Sequence, residues 1–214
     1  MTRLLFIRHG QSLSNLDGSF TGSTNVALTD LGLRQAEAAA SYIVSAYSVD
    51  AVYASDLQRA FNTGKAVADR LGLPVYPHQG LREIFAGEWE GQPFTYLTAA
   101  YPETFAGVWR HDIGNSVCDG GESVAQLQQR VSAAVREIAQ ANDGKTVVIA
   151  THATPIRVME CLSQGKTLSQ MKDIPWVANA SVTEIHYEDG VFTEIVSSYD
   201  KHLGSMVSNL PSNV

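Results

Sequence analysis

Two short apolar runs, each ending in a histidine, constrain the fold of this chain more than any other feature. Residues 4–7 lead into Arg8 and His9, and residues 146–150 are followed by a threonine and His152. Unbroken apolar runs of this length are typical of strands that are buried on both faces in a parallel sheet. Because ligands bind at the carboxyl ends of strands in open α/β sheets, we expect the two histidines to share one site.

Segments with helical periodicity alternate with these strands. Apolar residues recur at helical spacing between the two histidines, and Thr29 stands where a helix N-cap is expected. The predicted elements are a helix near 30–47, a strand at Ala51–Ala54, a helix that begins behind Ser55 or Asp56 and ends at Leu71 before Gly72, and a helix from Val124 that closes at Asn142. This alternation of strands and helices predicts an α/β fold.

Two further segments complete the predicted fold. Residues 181–187 and 191–197 flank an Asp-Gly pair, which predicts a hairpin and an antiparallel edge on the sheet. Residues 92–121 mix aromatic side chains, among them Trp109, with small and polar ones, and predict a small helical cap inserted over the site. We therefore predict a single domain over 1–214, with a mostly parallel central sheet and helices on both faces.

The charge balance limits the kinds of partner. The chain has 15 Lys and Arg residues against 22 Asp and Glu residues, a formal net charge of -7. Such a chain lacks the broad basic surface that binds nucleic acid or anionic membranes, so an anionic substrate must meet a local basic pocket.

The apolar run before Arg8 is too short for a signal peptide or a membrane span, and Cys118 and Cys161 suit a reducing compartment. We expect a cytoplasmic protein, and its hairpin edge or cap offers a surface for a homodimer.

Basic residues accompany both ends of the predicted site. Arg8 adjoins His9, and Arg59 falls in the first turn of the helix after the second strand. Phosphoryl transfer spreads negative charge over oxygen atoms that guanidinium groups bind well, and neighbouring cations keep an imidazole neutral and nucleophilic. An equally good interpretation of Arg59 from spacing alone is a surface salt bridge to Asp56 or Asp69.

Four motifs in chain order resemble those of the histidine phosphatase superfamily, the phosphoglycerate mutase-like group. They run from Arg3 to about Met159, which is about three quarters of the chain. The motifs are Arg8-His9-Gly10-Gln11-Ser12 with Asn15, Ser55-Asp56-Leu57-Gln58-Arg59-Ala60, Leu81-Arg82-Glu83 with Gly87-Glu88-Trp89-Glu90-Gly91, and Thr151-His152. The resemblance implies a phosphoglycerate mutase-like fold and a phosphohydrolase that forms a phosphohistidine.

The resemblance also implies a role for individual residues. The implied roles are nucleophile for His9, phosphoryl binding for Arg8, Arg59 and His152, proton donor for Glu83, and substrate contact for Asn15, Thr21 and Gly22. Without the family pattern, Glu83 is equally well a surface carboxylate, and the segment before Thr21 equally well a plain turn. The six histidines are scattered along the chain and not clustered at the short spacing of metal ligands, so we expect no metal, and we expect no cofactor.

Departures from the family pattern refine the predicted activity. The mutases have an arginine and a basic segment after the matching glutamate, whereas Ile84-Phe85-Ala86 follows here, which favours hydrolysis. Ala153 replaces the glycine that commonly follows the second histidine. We predict a phosphomonoester hydrolase for a small phosphorylated metabolite, with Phe85 and Trp89 as the aromatic residues nearest the leaving group. The alternatives are phosphoglycerate mutase-type transfer and a noncatalytic sensor of a phosphate ligand.

Overall fold

The computed structural model describes residues 1–106 and 120–208, so Trp109 and Cys118 lie outside the described residues. The strands are β1 (Thr2–Arg8), β2 (Ala51–Ala54), β3 (Val75–Pro77), β4 (Thr146–Thr151), β5 (Val182–Glu188) and β6 (Val191–Tyr199). The helices are α1 (Leu13–Asp17), α2 (Asp30–Ala46), α3 (Gln58–Leu71), α4 (Phe94–Ala100), α5 (Pro102–Ala106), α6 (Val124–Ala141) and α7 (Ala153–Ser163), with 3₁₀ turns at Gln79–Leu81, Gly87–Trp89, Leu168–Asp173 and Lys201–Met206. Among these helices, none has both the length and the apolar character needed to cross a bilayer.

The described strands form one sheet in the order β3-β2-β4-β1-β5-β6. The first four strands are parallel, and β5 and β6 add the predicted antiparallel edge. In β1, Leu4 and Phe6 face one hydrophobic core, and Leu5 and Ile7 face the other. Alternate side chains of a strand point to opposite faces, so an unbroken apolar strand requires a layer on each side. Helices α2 and α3 cover one face and α6 and α7 the other, which confirms the predicted α/β fold.

The helix boundaries agree with those predicted from the sequence, except at the start of α3. Thr29 caps α2 by accepting a hydrogen bond from the backbone N–H of Gly32 at 3.0 Å, and α3 ends at Leu71 as predicted. The predicted cap of α3 at Ser55 or Asp56 is wrong, because Leu57 occupies that position without a side-chain bond. The Ser55 hydroxyl instead contacts His152, and the Asp56 carboxylate binds Arg82.

The antiparallel edge depends on a two-residue turn. Asp189 and Gly190 have φ angles of 50° and 85°, and the strands pair at Glu188 and Val191 on either side. Two successive positive φ angles are typical of the hairpin turn whose twist matches that of the flanking strands. The predicted hairpin is therefore confirmed.

The described part of the predicted cap, residues 92–106 and 120–121, contains α4 and α5. Phe94 and Leu97 on α4 and Phe105 on α5 are buried. They belong to the same hydrophobic core as Trp89 and the residues of α6. The helices therefore pack as an extension of the core on the α6 side of the sheet. That residues 1–214 form one domain, with 92–121 as a cap insertion, stays a prediction.

Helix α7 has a buried carboxyl that links folding to pH. The hydroxyls of Thr183 and Ser197 donate to Glu160 Oε1 at 3.1 and 2.9 Å, and burial raises the pKa of Glu160 to about 7. Because the folded state holds this proton more tightly, its stabilisation is fully present below the ordinary pKa of 4.5 and is lost as the pH rises through about 7.

The substitution Glu160→Gln is expected to remove this pH dependence. Urea unfolding should show that the wild type loses roughly 3 kcal/mol more than the variant between about pH 4 and about pH 8. Glu103→Gln, which replaces an exposed glutamate on α5, is the control and should behave like the wild type. Equal pH dependence in the wild type and Glu160→Gln would contradict the assignment.

Candidate active site

The two strand-end histidines meet at one edge of the sheet. Strands β1 and β4 are parallel neighbours, with Arg8 paired to Thr151, so both strands end at the same level. The ring centroids of His9 and His152 are 5.2 Å apart. The prediction that the two histidines share a site is therefore confirmed in its geometry.

His9 is buried and held in one orientation. Its Nδ1 lies 2.7 Å from the backbone carbonyl oxygen of Gly10. A carbonyl oxygen only accepts, so Nδ1 carries the proton and Nε2 keeps a free electron pair. Burial, followed by the positive charges of Arg59 and Arg8, holds the pKa of His9 well below its ordinary value. The ring is therefore neutral and suited to nucleophilic attack.

His152 has no exposed surface and is oriented by Ser55. Its Nε2 lies 2.9 Å from Ser55 Oγ, which also accepts a hydrogen bond from the backbone N–H of Leu57. The Ser55 proton is then available to Nε2, and we assign the imidazole proton to Nδ1. Nδ1 has no hydrogen-bond partner among the described residues. Burial, then the charge of Arg59, lowers the pKa of His152. The result is a neutral ring with an available donor.

Arg8 and Arg59 are buried cations. Arg8 Nη1 donates to the carbonyl oxygen of Val177 at 2.6 Å. Arg59 donates to the carbonyl oxygens of Thr24 and Gly22 at 2.8 and 2.7 Å. Burial lowers the pKa of each to about 10, so both guanidinium groups are charged at neutral pH. Their hydrogen-bond partners are neutral carbonyls, although Glu83 acts electrostatically on both arginines and Glu90 on Arg59. Buried guanidinium groups with neutral partners suit an anionic ligand.

The alternative interpretation of Arg59 as a surface ion-pair residue is wrong. Its exposed fraction is 1%. The two proposed partners bind other cations: Asp56 pairs with Arg82, and Asp69 pairs with Lys65 four residues earlier on α3. A buried arginine with carbonyl partners is typical of a ligand-binding cation and not of a solvated salt bridge.

Glu83 is also buried, which excludes the alternative of a surface carboxylate. Its exposed fraction is 9%, and its two oxygens accept hydrogen bonds from the backbone N–H groups of Ile84 at 2.8 Å and Thr154 at 3.2 Å. Burial raises the pKa of Glu83, although these two hydrogen bonds oppose the shift. A carboxyl with a raised pKa can deliver a proton and later take one back.

These groups surround a narrow cavity of about 50 Å³. Of the residues predicted from the sequence, six line it: Arg8, His9, Asn15, Thr21, Arg59 and Glu83. His152 and Gly22 do not line it but contact residues that do. The cavity is also lined by residues that the sequence analysis did not select as site residues, which are Ser12, Ser14, Phe20, Phe94, Ala153, Thr154 and Trp176. Ser12 is the last residue of the run that opens the first motif and Ser14 lies two residues later, whereas Trp176 lies far from every motif and no pattern pointed to it.

The two aromatic residues predicted beside the leaving group lie elsewhere. Trp89 has no exposed surface, because Phe20, Tyr101 and Phe105 pack around its ring, so its predicted contact with the leaving group is wrong. Phe85 is 47% exposed and lines a neighbouring cavity. The aromatic wall of the site consists of Phe20, Phe94 and Trp176 instead.

Gly22 contributes through its backbone. A Cβ atom at Gly22 would lie 2.0 Å from the carbonyl oxygen of Ile84, so only glycine allows this close approach to the segment that contains Glu83. The carboxylate of Glu90 accepts hydrogen bonds from the backbone N–H groups of Gly22 and Ser23, which turns the carbonyl of Gly22 towards Arg59. Substrate contact by Gly22 itself stays a prediction.

A second close approach fixes the backbone after His9. A Cβ atom at Gly10 would lie 2.2 Å from the carbonyl oxygen of Gly32, at the start of α2.

Gly10→Ala is therefore expected to lower the free energy of unfolding by about 3 kcal/mol, because the backbone must shift. Gly91→Ala is the control: its φ of 77° is strained for alanine but no atom is near, so about 1 kcal/mol is expected. Urea unfolding measures both, and equal losses would contradict the steric argument.

A neutral histidine, a second histidine and two buried guanidinium groups at one sheet edge define a site suited to phosphoryl transfer. The chain belongs to the histidine phosphatase superfamily (branch 1), whose family model matches residues 4–200. This membership fits a phosphoric monoester hydrolase.

Individual relatives match over most of their length. Phosphoserine phosphatase 1 of Hydrogenobacter thermophilus is 30% identical over 204 residues, covering 95% of both chains. Glucosyl-3-phosphoglycerate phosphatase of Mycolicibacterium vanbaalenii is 31% identical over 206 residues, covering 90% of each. The solved structure of Bacillus stearothermophilus YhfR superposes with a TM-score of 0.89 at 28% identity, covering 95% of this chain and 100% of that one.

Proposed function

We propose that the chain hydrolyses small phosphomonoesters through a phosphohistidine on His9. The observation that carries the proposal is the hydrogen bond between His9 Nδ1 and the carbonyl of Gly10, which leaves Nε2 as the free nucleophilic atom. Arg8 and Arg59 lie beside it as buried cations, and burial of the ring together with their charge keeps the imidazole neutral. Nucleophile and anion-binding groups therefore occupy one cavity.

The reaction has two steps. In the first, His9 Nε2 attacks phosphorus, the bond to the ester oxygen breaks, and protonated Glu83 gives its proton to that oxygen. In the second, Glu83, now ionised, takes a proton from water, which attacks phosphorus and breaks the P–N bond. Inorganic phosphate leaves, and both side chains return to their starting states.

The remaining groups stabilise charge. Arg8, Arg59 and the Nδ1–H of His152 supply positive charge and hydrogen-bond donors for the equatorial oxygens of the transferring group. The three side chains are buried, and each is held by a hydrogen bond, from Arg8 to Val177, from Arg59 to Thr24 and Gly22, and between His152 Nε2 and Ser55, so little reorganisation accompanies the reaction. Charge stabilisation by arginine and imidazole is the basis on which we propose a metal-independent reaction.

The lining of the cavity bears on the substrate. Arg8 and Arg59 are the only cationic side chains among the described residues that line it, and both are next to the phosphoryl position. The aromatic residues that line it are Phe20, Phe94 and Trp176. This favours a small ester whose leaving group is uncharged. The two relatives are named for different substrates, so their names do not select one. A cytoplasmic location and a homodimer stay predictions.

Hydrolysis of a panel of phosphomonoesters in the presence of a chelator tests the proposal. We expect release of inorganic phosphate from several small esters, undiminished by the chelator and by the absence of any acceptor alcohol. Strict dependence on a phosphorylated acceptor would support the mutase alternative instead. Tight phosphate binding without turnover of any ester would support the noncatalytic sensor.

A further inference from the structure

The proton donor lies on a segment that has little regular structure of its own. Between the turn Gln79–Leu81 and the turn Gly87–Trp89, the backbone that includes Glu83 belongs to neither helix nor strand. Proton transfer requires the donor within hydrogen-bond reach of the leaving oxygen, and a displacement of about 1 Å can cost about 100-fold in rate. Something outside this segment must therefore fix its position.

Arg130 on α6 binds three carbonyl groups in residues 80–83, one in the first turn and two in the irregular stretch that follows; residues 80–85 are called the 80–85 segment below. Its Nη1 donates to the carbonyl oxygens of Gly80 and Arg82, each at 3.1 Å, and its Nη2 donates to the carbonyl oxygen of Glu83 at 3.3 Å. One guanidinium group thus spans the backbone up to and including the proton donor. Its planar fork suits several acceptors at once, which a lysine ammonium does not match.

Glu122 holds this guanidinium and the far side of the same segment. Its carboxylate accepts from Arg130 Nε at 2.9 Å and Nη2 at 2.7 Å. Its backbone N–H donates to the carbonyl oxygen of Phe85 at 2.8 Å, and its carboxylate accepts from the Phe85 N–H at 3.3 Å. The Glu122 and Arg130 side chains are 15% and 29% exposed, so the ion pair is partly shielded from water.

The support beneath this pair is rigid. Helix α6 begins with a reciprocal capping arrangement between Ser123 and Gln126, and its apolar face, which includes Leu127 and Val131, is buried in the core. Arg130 therefore extends from a well-packed helix to a segment without regular secondary structure. Positions set by packed helices are more accurate than those set by loops alone.

We infer that the Glu122–Arg130 ion pair is a positioning device for Glu83, which holds the carboxyl where it can protonate the leaving oxygen. The inference rests on the proposed role of Glu83 as proton donor. Neither residue lines the cavity that contains His9, and both act through the backbone of the 80–85 segment. Loss of the pair is expected to impair proton transfer more than phosphoryl binding.

The test compares leaving groups in the first turnover. The departing 4-nitrophenolate needs little protonation, whereas an alkoxide needs it strongly. For Arg130→Met, we expect the rate of phosphoenzyme formation from a simple alkyl phosphate to fall about 10- to 100-fold, and that from 4-nitrophenyl phosphate to change by less than about threefold. Arg130→Lys should be intermediate. Arg136→Met is the matched control on the same helix. Arg136 lies over the ring of Phe192 on β6 and not on the 80–85 segment, so both rates should stay at the wild-type values.

The outcomes separate this inference from the proposed function. Glu83→Gln is measured in parallel. If Glu83→Gln itself shows no preference for the good leaving group, the proton-donor assignment fails. If Glu83→Gln shows that preference and Arg130→Met slows both substrates equally, or neither, the positioning role is overturned. If Arg130→Met does not give a cooperative unfolding transition, Glu122→Gln takes its place, with a smaller shift in the same ratio expected and an unchanged ratio counting against the inference.

Discussion

Replacing His9 with alanine is expected to abolish phosphomonoester hydrolysis, with kcat falling by about 10⁴-fold or more. Without Nε2 there is no covalent nucleophile, so water would have to attack the phosphorus of the ester directly. The arginines and His152 are still present, so a phosphate ligand should still bind. The expected result is therefore a protein that binds inorganic phosphate but forms no covalent intermediate.

Rapid mixing with a radiolabelled ester, followed by an alkaline quench, measures this intermediate directly. A P–N bond survives alkali and is lost in acid, which distinguishes phosphohistidine from a phosphoserine ester. His186→Ala is the control, because His186 pairs with Arg3 at the opposite end of β1 and should leave the rate unchanged. Labelled protein or substantial turnover in His9→Ala would show that another residue is the nucleophile.

Replacing Glu83 with glutamine is expected to lower kcat for alkyl esters by about 10²- to 10³-fold. The amide preserves the shape of the side chain but neither donates a proton to the leaving oxygen nor accepts one from water. Phosphoenzyme formed from a good leaving group should accumulate, because the second step also loses its base. With a good leaving group, hydrolysis of the phosphoenzyme therefore limits turnover in the variant, and the turnover rate is also lower.

The pH profile gives an independent check on Glu83. The first step needs the protonated carboxyl and neutral His9. Because burial raises the pKa of Glu83 and lowers that of His9, kcat/KM should stay high on the acidic side and fall as the pH rises through the pKa of Glu83. That alkaline fall should be absent in Glu83→Gln. The neighbouring Glu88→Gln, at an exposed position, should keep the wild-type profile, and an alkaline fall that persists in Glu83→Gln would argue against the assignment.

Local patterns were enough to predict most of the fold. The apolar runs of β1 and β4 are buried on both faces, and such strands are hard to mistake when their length is short and charged residues border them. Thr29 and the Asp-Gly turn act through contacts within a few residues. These elements were predictable because the interactions that form them are close in sequence.

Features that depend on distant contacts were not predictable. Ser55 and Asp56 are good capping residues, but in the folded chain their side chains bind His152 and Arg82, so α3 begins later. Burial of Trp89 depends on rings from separate segments, and Trp176 reaches the cavity from beyond α7. No periodicity in the sequence reports which distant side chains meet.

Because His9 follows β1 and His152 follows β4, the site forms only after these two strands have paired. His9 and His152 are about 140 residues apart in sequence, so closing this contact is one of the entropically costly events of folding. A nascent chain therefore has its nucleophile long before it has the second histidine. Phosphate should bind tightly only to chains in which β4 has docked, and by mass action it would then select the finished fold over every partly assembled form.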